Sequence, residues 1–209
     1  MRRLDAGGLA ALIAQRGARG RTLTALAGPP GAGKSFLAAE LAQLLNAAGP
    51  GSAAVVPMDG FHFDDTVLEA RGLRARKGAP ETFDTGGLAA VLARLSGNTE
   101  AEIAIPLFDR RLEIARAGAA VIPQAVRHII IEGNYLLLAR APWRTMHSLF
   151  TTTVLLKVSD ETLRRRLTAR WDGAGLDAAA VRAKVDDNDL VNARCVMEKS
   201  VKPEVWVEN

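Results

Sequence analysis

Eight consecutive residues carry the strongest chemical signal in the chain. Gly28-Pro29-Pro30-Gly31-Ala32-Gly33-Lys34-Ser35 satisfies G-x-x-x-x-G-K-[ST] at every fixed position. Glycines at those positions let the backbone turn tightly and aim successive N–H groups at phosphate oxygens. A helix starting at the lysine adds the positive end of its dipole. In this pattern Lys34 reaches the β- and γ-phosphates of a nucleotide, and the Ser35 hydroxyl meets Mg²⁺. With 19 glycines in 209 residues, the pattern would arise by chance roughly 0.004 times.

A Mg²⁺-polyphosphate site needs a carboxylate nearby, and two apolar runs end in one. His128-Ile129-Ile130-Ile131-Glu132-Gly133 leads into Glu132, and Val55-Val56-Pro57-Met58-Asp59-Gly60 leads into Asp59. Ligands of open parallel sheets sit outside the carboxyl ends of the strands, where both acids would lie beside the loop. Glu132 is expected to hold the Mg²⁺ through water. The plainer alternative is a strand-end acid paired with a surface arginine. Asp59, with Gly60 allowing close approach, is expected to take the proton of an attacking hydroxyl, a general-base role worth roughly 10²–10⁴-fold. An aspartate in an ordinary Asp-Gly turn is the competing reading.

Leu163-Arg164-Arg165-Arg166-Leu167-Thr168-Ala169-Arg170 puts Arg166 and Arg170 on one helix face. Arginines there would stabilise the charge that phosphoryl transfer spreads over equatorial oxygens. A solvated basic face explains the same run, and Arg164 and Arg165 fit that description. In the segment 60–127, His62, Arg76, Glu81, Phe83, Asp84, Asp109 and Arg110 are candidates to face a second substrate. Aspartate accepts from hydroxyls, whereas arginine fits a carboxylate or phosphate. His62 either orients that substrate or serves the turn. Asn134 and Tyr135, directly after Glu132, are further candidates. His128 and His147 have no metal partner at useful spacing and read as structural.

These residues need elements to hold them. Short apolar runs at Thr22–Ala27, Ala53–Met58, His128–Glu132, Thr153–Val158 and Val205–Val207 predict strands buried on both faces. Helices are predicted over Leu4–Gln15, Lys34–Ala47, Gly87–Leu95, Asp160–Trp171 and Ala178–Met197, the last one broken. Ser159 before Asp160-Glu161 is an expected N-cap. Alternating strand and helix mean an α/β layered fold. The segment 60–127, rich in Gly, Arg and Pro, reads as a substrate-side insertion in one domain spanning residues 1–209.

Composition bounds the rest. Hydrophobic residues at 48% and charged residues at 24% are ordinary for a globular domain. One cysteine, Cys195, excludes an intrachain disulfide and a cysteine-cluster zinc site. A formal net charge of +4 is too small for a nucleic-acid stripe, although it keeps anionic substrates in view. No apolar run approaches the roughly 20 residues of a membrane span, and the N-terminus turns polar too early for a secretory signal. The expectation is a cytoplasmic protein with no nucleic-acid or membrane partner.

Taken together, the phosphate-binding loop, Met58-Asp59-Gly60-Phe61-His62, Gly78-Ala79-Pro80-Glu81-Thr82-Phe83-Asp84 and Ile131-Glu132-Gly133-Asn134-Tyr135-Leu136-Leu137 follow one another as in a known group. The chain resembles the uridine kinase, phosphoribulokinase and bacterial pantothenate kinase group of P-loop kinases, and within it the fructose-transport-system kinases. The resemblance implies ATP-dependent phosphorylation of a small-molecule hydroxyl, with ATP and Mg²⁺ as cofactors and a homodimer possible. It implies a three-layer P-loop fold with a five-stranded parallel sheet of order 2-3-1-4-5, helices on both faces, and an arginine-bearing lid near residues 160–175. Asp59 would match the group's catalytic aspartate and Glu132 its acidic residue near the metal. Arg166 and Arg170 would act with Lys34 as lid arginines, and residues 28–36, from Gly28 through Ser35 to Phe36, would bind ATP. Pro106–Arg111 resembles a segment that lines the acceptor pocket. The expected acceptor set is His62, Glu81, Phe83, Asp109, Arg110 and Tyr135. The acceptor itself stays open between a sugar such as fructose, a nucleoside and a pantothenate-like molecule. The competing class is an ATPase or GTPase switch or regulator acting on a macromolecule; the chain has no Asn/Thr-Lys-x-Asp guanine-reading motif.

Overall fold

The structure, a computed structural model, describes residues 2–209. Its frame is a parallel sheet whose strands are buried on both faces, and the sequence shows why. In β2 (Thr22–Ala27), Leu23, Ala25 and Ala27 enter one apolar cluster while Leu26 enters the other. In β6 (His128–Gly133), Ile129 and Ile131 go one way and Ile130 the other. Successive side chains of a strand point to opposite faces, so a continuous apolar run is the signature of a sheet covered twice. Each such side chain, 0% exposed at Ile129, Ile130 and Ile131, contributes on the order of 1.5–3 kcal/mol by leaving water.

The elements follow in order: β1 (Arg2–Arg3), α1 (Ala6–Gly17), β2, α2 (Lys34–Ala48), β3 (Ala53–Pro57), α3 (Asp65–Ala70), α4 (Thr85–Gly97), β4 (Glu102–Asp109), β5 (Ile114–Pro123), β6, β7 (Thr152–Lys157), α5 (Asp160–Gly173), α6 (Ala178–Arg182), α7 (Leu190–Lys199) and β8 (Val205–Glu208). Across the sheet the strands run β1-β8-β7-β2-β6-β3, every pair parallel. The sheet therefore has six strands, not the five expected. The sixth is the two-residue strand Arg2–Arg3 on the β8 edge; two exposed arginines carry no apolar pattern to announce it. Read along the five expected strands alone, the observed order is 2-3-1-4-5.

Two further departures matter for the site. Met58, expected as the last residue of a strand, instead opens a 3₁₀ turn over Met58–Phe61. The segment 60–127, in which no strand is predicted, holds an antiparallel hairpin of β4 and β5, with a register shift between Ile105 and Leu107 at Pro106. Proline lacks the N–H that a ladder needs, so a break in pairing there is its natural place. The hairpin's Ile103, Ile105 and Ile122 join Phe61, Phe83 and Leu88 in the cluster on one face of the sheet. Helices α1, α2 and α5 cover the other face through Ile13, Leu41 and Leu167. The stretch expected as one broken helix, Ala178–Met197, is α6, a π-wound turn over Ala183–Asp189, and α7. Ser159 caps α5, its Oγ accepting from Thr162 N at 3.3 Å.

Candidate active site

Strand register collects the site. Leu26 and Pro57 each pair with Glu132, one on either side. The phosphate-binding loop begins two residues after Leu26, and Asp59 lies two residues after Pro57. Three strand ends therefore deliver the loop, Glu132 and Asp59 to one edge of the sheet. The loop closes with Gly31 at φ 77° and Gly33 at φ 88°, backbone that glycine alone adopts freely. Gly33 is the N-cap of α2, which starts at Lys34.

Lys34 and Glu132 are each only 8% exposed. Lys34 Nζ donates to the Pro29 carbonyl at 2.9 Å and to Asn134 Oδ1 at 2.6 Å. Ser35 Oγ donates to Glu132 Oε1 at 2.9 Å. Burial lowers the Lys34 pKa from its ordinary value, with Glu132 and Asp59 opposing that shift. Burial likewise raises the Glu132 pKa, with Lys34 opposing. Arg166 lies against the loop, Nη1 donating to the Gly31 carbonyl at 3.3 Å. The side chain of Asn209 donates to the Ala32 carbonyl at 2.6 Å, a contact the sequence did not suggest.

Two cavities meet at this edge. A groove of about 290 Å³ follows the loop and is lined by Pro30, Gly31, Gly33, Lys34, Ser35 and Phe36, with Glu132 opposite. A second cavity of about 120 Å³ lies beside it, lined by His62, Phe83, Phe108, Trp171 and a largely polar wall. Pro30, Asp59, Arg110, Asn134 and Arg170 line both. Asp59 Oδ2 accepts from Arg110 Nη2 at 3.1 Å across that junction. His62 stacks with Phe83 at 4.0 Å and Phe108 at 4.9 Å between centroids, and its Nδ1 lies 2.8 Å from the Asp59 carbonyl oxygen. Burial lowers the His62 pKa, so the neutral ring donates from Nδ1 and keeps Nε2 as an acceptor.

Three residues of the expected acceptor set lie elsewhere. Glu81 is solvent-exposed and faces Arg140 at 3.7 Å. Asp109 caps the hairpin turn, its Oδ1 accepting from the backbone N–H groups of Arg111 and Leu112. Tyr135 is 0% exposed; its hydroxyl donates to the Gly78 carbonyl at 2.5 Å, and its ring packs on Phe83 and Trp143. Asp84 is the N-cap of α4, and Arg164 pairs with Asp186 at 2.6 Å away from the cavities. His128 sits 3.1 Å from Thr22 Oγ1 in a structural contact.

Conversely, Lys77, Lys184, Asn188, Asp189 and Asn192 line the second cavity and escaped sequence reasoning. Their signal was present in weak form: Asn188, Asp189 and Asn192 are buried polar residues at helical spacing inside an otherwise amphipathic run.

No family model matches the chain. A Schizosaccharomyces pombe protein named "Putative uridine kinase C227.14" is 33% identical over 195 residues, covering 90% of this chain and 83% of its own. An "ATP-dependent kinase YFH7" from Zygosaccharomyces rouxii is 28% identical, covering 72% of this chain and 49% of its own. The crystal structure of a "putative fructose transport system kinase" from Silicibacter sp. TM1040 superposes with a TM-score of 0.89 at 40% identity, covering 97% of this chain and 98% of that one. Fold and loop define a P-loop kinase, ATP-dependent in its class. The chain belongs to the uridine kinase-related group of that class.

Proposed function

We propose that the protein moves the γ-phosphoryl group of ATP onto a hydroxyl of a small metabolite held in the cavity beside the phosphate-binding loop. The observation that carries this reading is the junction: Asp59, Arg110, Asn134 and Arg170 line both the nucleotide groove and the second cavity. A phosphoryl donor and a hydroxyl acceptor have to meet in line, and only groups shared by both cavities can act on both. A switch or energy-coupling ATPase has no use for a second polar cavity of this kind. Uridine and fructose, named for the relatives, are two acceptors to test.

In this reading Asp59 accepts the proton of the attacking hydroxyl. That oxygen forms a bond to the γ-phosphorus as the bond between phosphorus and the β–γ bridging oxygen breaks, and ADP leaves. Lys34 and the loop N–H groups hold the phosphates, while Arg170 and Arg166 offset the charge spread over the transferring group. Arg110 spends one of its five N–H donors on Asp59 and keeps others for phosphate oxygens. Asn134, by accepting from Lys34, sets the direction of the ammonium. His62 Nε2 is an acceptor for a donor group of the metabolite.

The residues fit Mg²⁺. Ser35 Oγ and Glu132 Oε1 are two hard oxygen donors already in contact, and the ion takes few protein ligands, filling its shell with water and phosphate oxygens. Ser35 and Glu132 would hold it, and bound Mg²⁺ supplies positive charge against the polyphosphate.

The decisive experiment replaces the base. Asp59→Asn is expected to fold and bind Mg·ATP normally while acceptor-dependent turnover falls about 10²–10⁴-fold. Turnover within a few-fold of the parent would remove Asp59 from the role of base.

A further inference from the structure

Apart from Arg170, the wall of the second cavity that comes from the C-terminal third of the chain has no part in the chemistry above, yet it is built from charged and buried polar groups. Trp171, near the end of α5, is its centre. The Arg170 guanidinium carbon lies 5.0 Å from the indole centroid and Lys184 Nζ 5.5 Å from it. The indole Nε1 donates to Asp189 Oδ2 at 2.7 Å.

Lys184 reaches this wall because the chain is π-wound over Ala183–Asp189. A π turn takes one more residue than an α turn, which brings Lys184, Asn188 and Asp189 to one face. Asn188 Nδ2 donates to the Lys77 carbonyl at 3.2 Å, tying that face to the other side of the cavity.

The charge inventory has a direction. The cations on the lining are Arg74, Lys77, Arg110, Arg170 and Lys184, and the carboxylates are Asp59, Glu113 and Asp189. Arg74 and Lys77 are taken by Asp65, at 2.8 and 2.7 Å, and Arg110 by Asp59 at 3.1 Å. Arg170 and Lys184 form no ion pair among the described residues. Asp189, the carboxylate close to both, has its Oδ2 bound to the indole. Two cations without an ion-pair partner, each within 5.5 Å of one indole centroid and both lining the cavity, form a receptor for an anion.

We infer that the metabolite phosphorylated here carries an anionic group, a phosphate or a carboxylate, seated against Lys184 and Arg170 on Trp171, with the reacting hydroxyl turned toward Asp59. This deepens the kinase reading and rests on it. Lys184 is then a specificity residue for the acceptor.

The test is acceptor-dependent ADP release by the full chain with Mg·ATP, on matched pairs. The pairs are ribose against ribose 5-phosphate, fructose against fructose 1-phosphate and 6-phosphate, and glucose against gluconate, with uridine as a further neutral probe. The expected result is a KM at least about tenfold lower for a charged member than for its neutral partner. The phosphate and carboxylate arms identify the anion. Lys184→Ala is expected to raise KM for that charged acceptor about tenfold with a smaller fall in kcat, and Lys184→Arg to recover most of it. Neutral members used as well as charged ones, or a charge preference intact in Lys184→Ala, would overturn the inference while leaving the kinase reading standing. ATP hydrolysis at one constant rate with every compound would count against the kinase reading itself, and the anion site would fall with it.

Discussion

At the residue scale the site is a set of charges kept where water would not keep them. Lys34 and Glu132 are nearly buried with one hydrogen-bonded partner set between them, Asn134 and Ser35, an arrangement whose desolvation cost attraction only partly offsets. Such groups are retained for what they bind. Asp189 makes the point measurable. Burial raises its pKa from the ordinary 3.8, against the opposing pull of the Trp171 hydrogen bond, Arg170 and Lys184. A carboxyl whose folded pKa lies above its unfolded value favours the fold fully below the unfolded value and loses that contribution as pH rises through the folded one. Asp189→Asn, which keeps an oxygen for the indole N–H, is therefore expected to raise Tm at pH 7. The gain should shrink as pH falls toward 3.8. Thermal denaturation across that pH range checks both; equal Tm at pH 7 would mean the carboxylate costs the fold nothing.

At the element scale the hairpin of β4 and β5 walls one side of the proposed acceptor cavity through Phe108, Arg110 and Glu113, and one glycine lets it approach. A Cβ on Gly60 would run into the Pro106 carbonyl oxygen, a backbone atom that cannot swing aside. Gly60 follows Asp59 in the 3₁₀ turn after β3, so the residue that admits the hairpin is the direct neighbour of the proposed base. Gly60→Ala is expected to cost about 1–3 kcal/mol through overpacking and to lower acceptor-dependent kcat/KM more than ATP affinity. Chemical denaturation and steady-state kinetics read the two effects separately. A variant with unchanged stability would show that the hairpin yields. The phosphate-binding loop, by contrast, is anchored from its own helix and from β8 through Asn209, and needs no hairpin.

At the scale of the whole molecule, nucleotide binding should stabilise the chain as a unit, because the loop, β3, β6 and α5 all meet at the groove. Mg·ATP at a hundred times its Kd contributes about 2.7 kcal/mol, or roughly 5–10 °C in Tm for a chain of this size. Lys34→Ala is expected to lose most of that shift, and a full shift in the variant would contradict the phosphate cradle. No helix among the described residues is long and apolar enough to cross a membrane. No group of three or more His, Cys, Asp or Glu among them is arranged to hold a metal.

Much of this molecule is written locally. The loop 28–35, the apolar strands feeding Glu132 and Asp59, and the cap at Ser159 depend on neighbours within a few residues, so their meaning survives without a fold. The hairpin was missed because Pro106 interrupts its alternation, and β1 because two arginines pair at an edge with no apolar signature. Glu81, Asp109 and Tyr135 stand in the right segments for an acceptor site. Which way a side chain turns depends on what packs behind it, and Trp143, the hairpin turn and solvent claimed those three. The wall of Lys184, Asn188 and Asp189 lies more than 120 residues beyond Asp59 in the chain. Only the π-wound turn and the packing of α5 bring it opposite, since no local rule links residues that meet solely through tertiary contact.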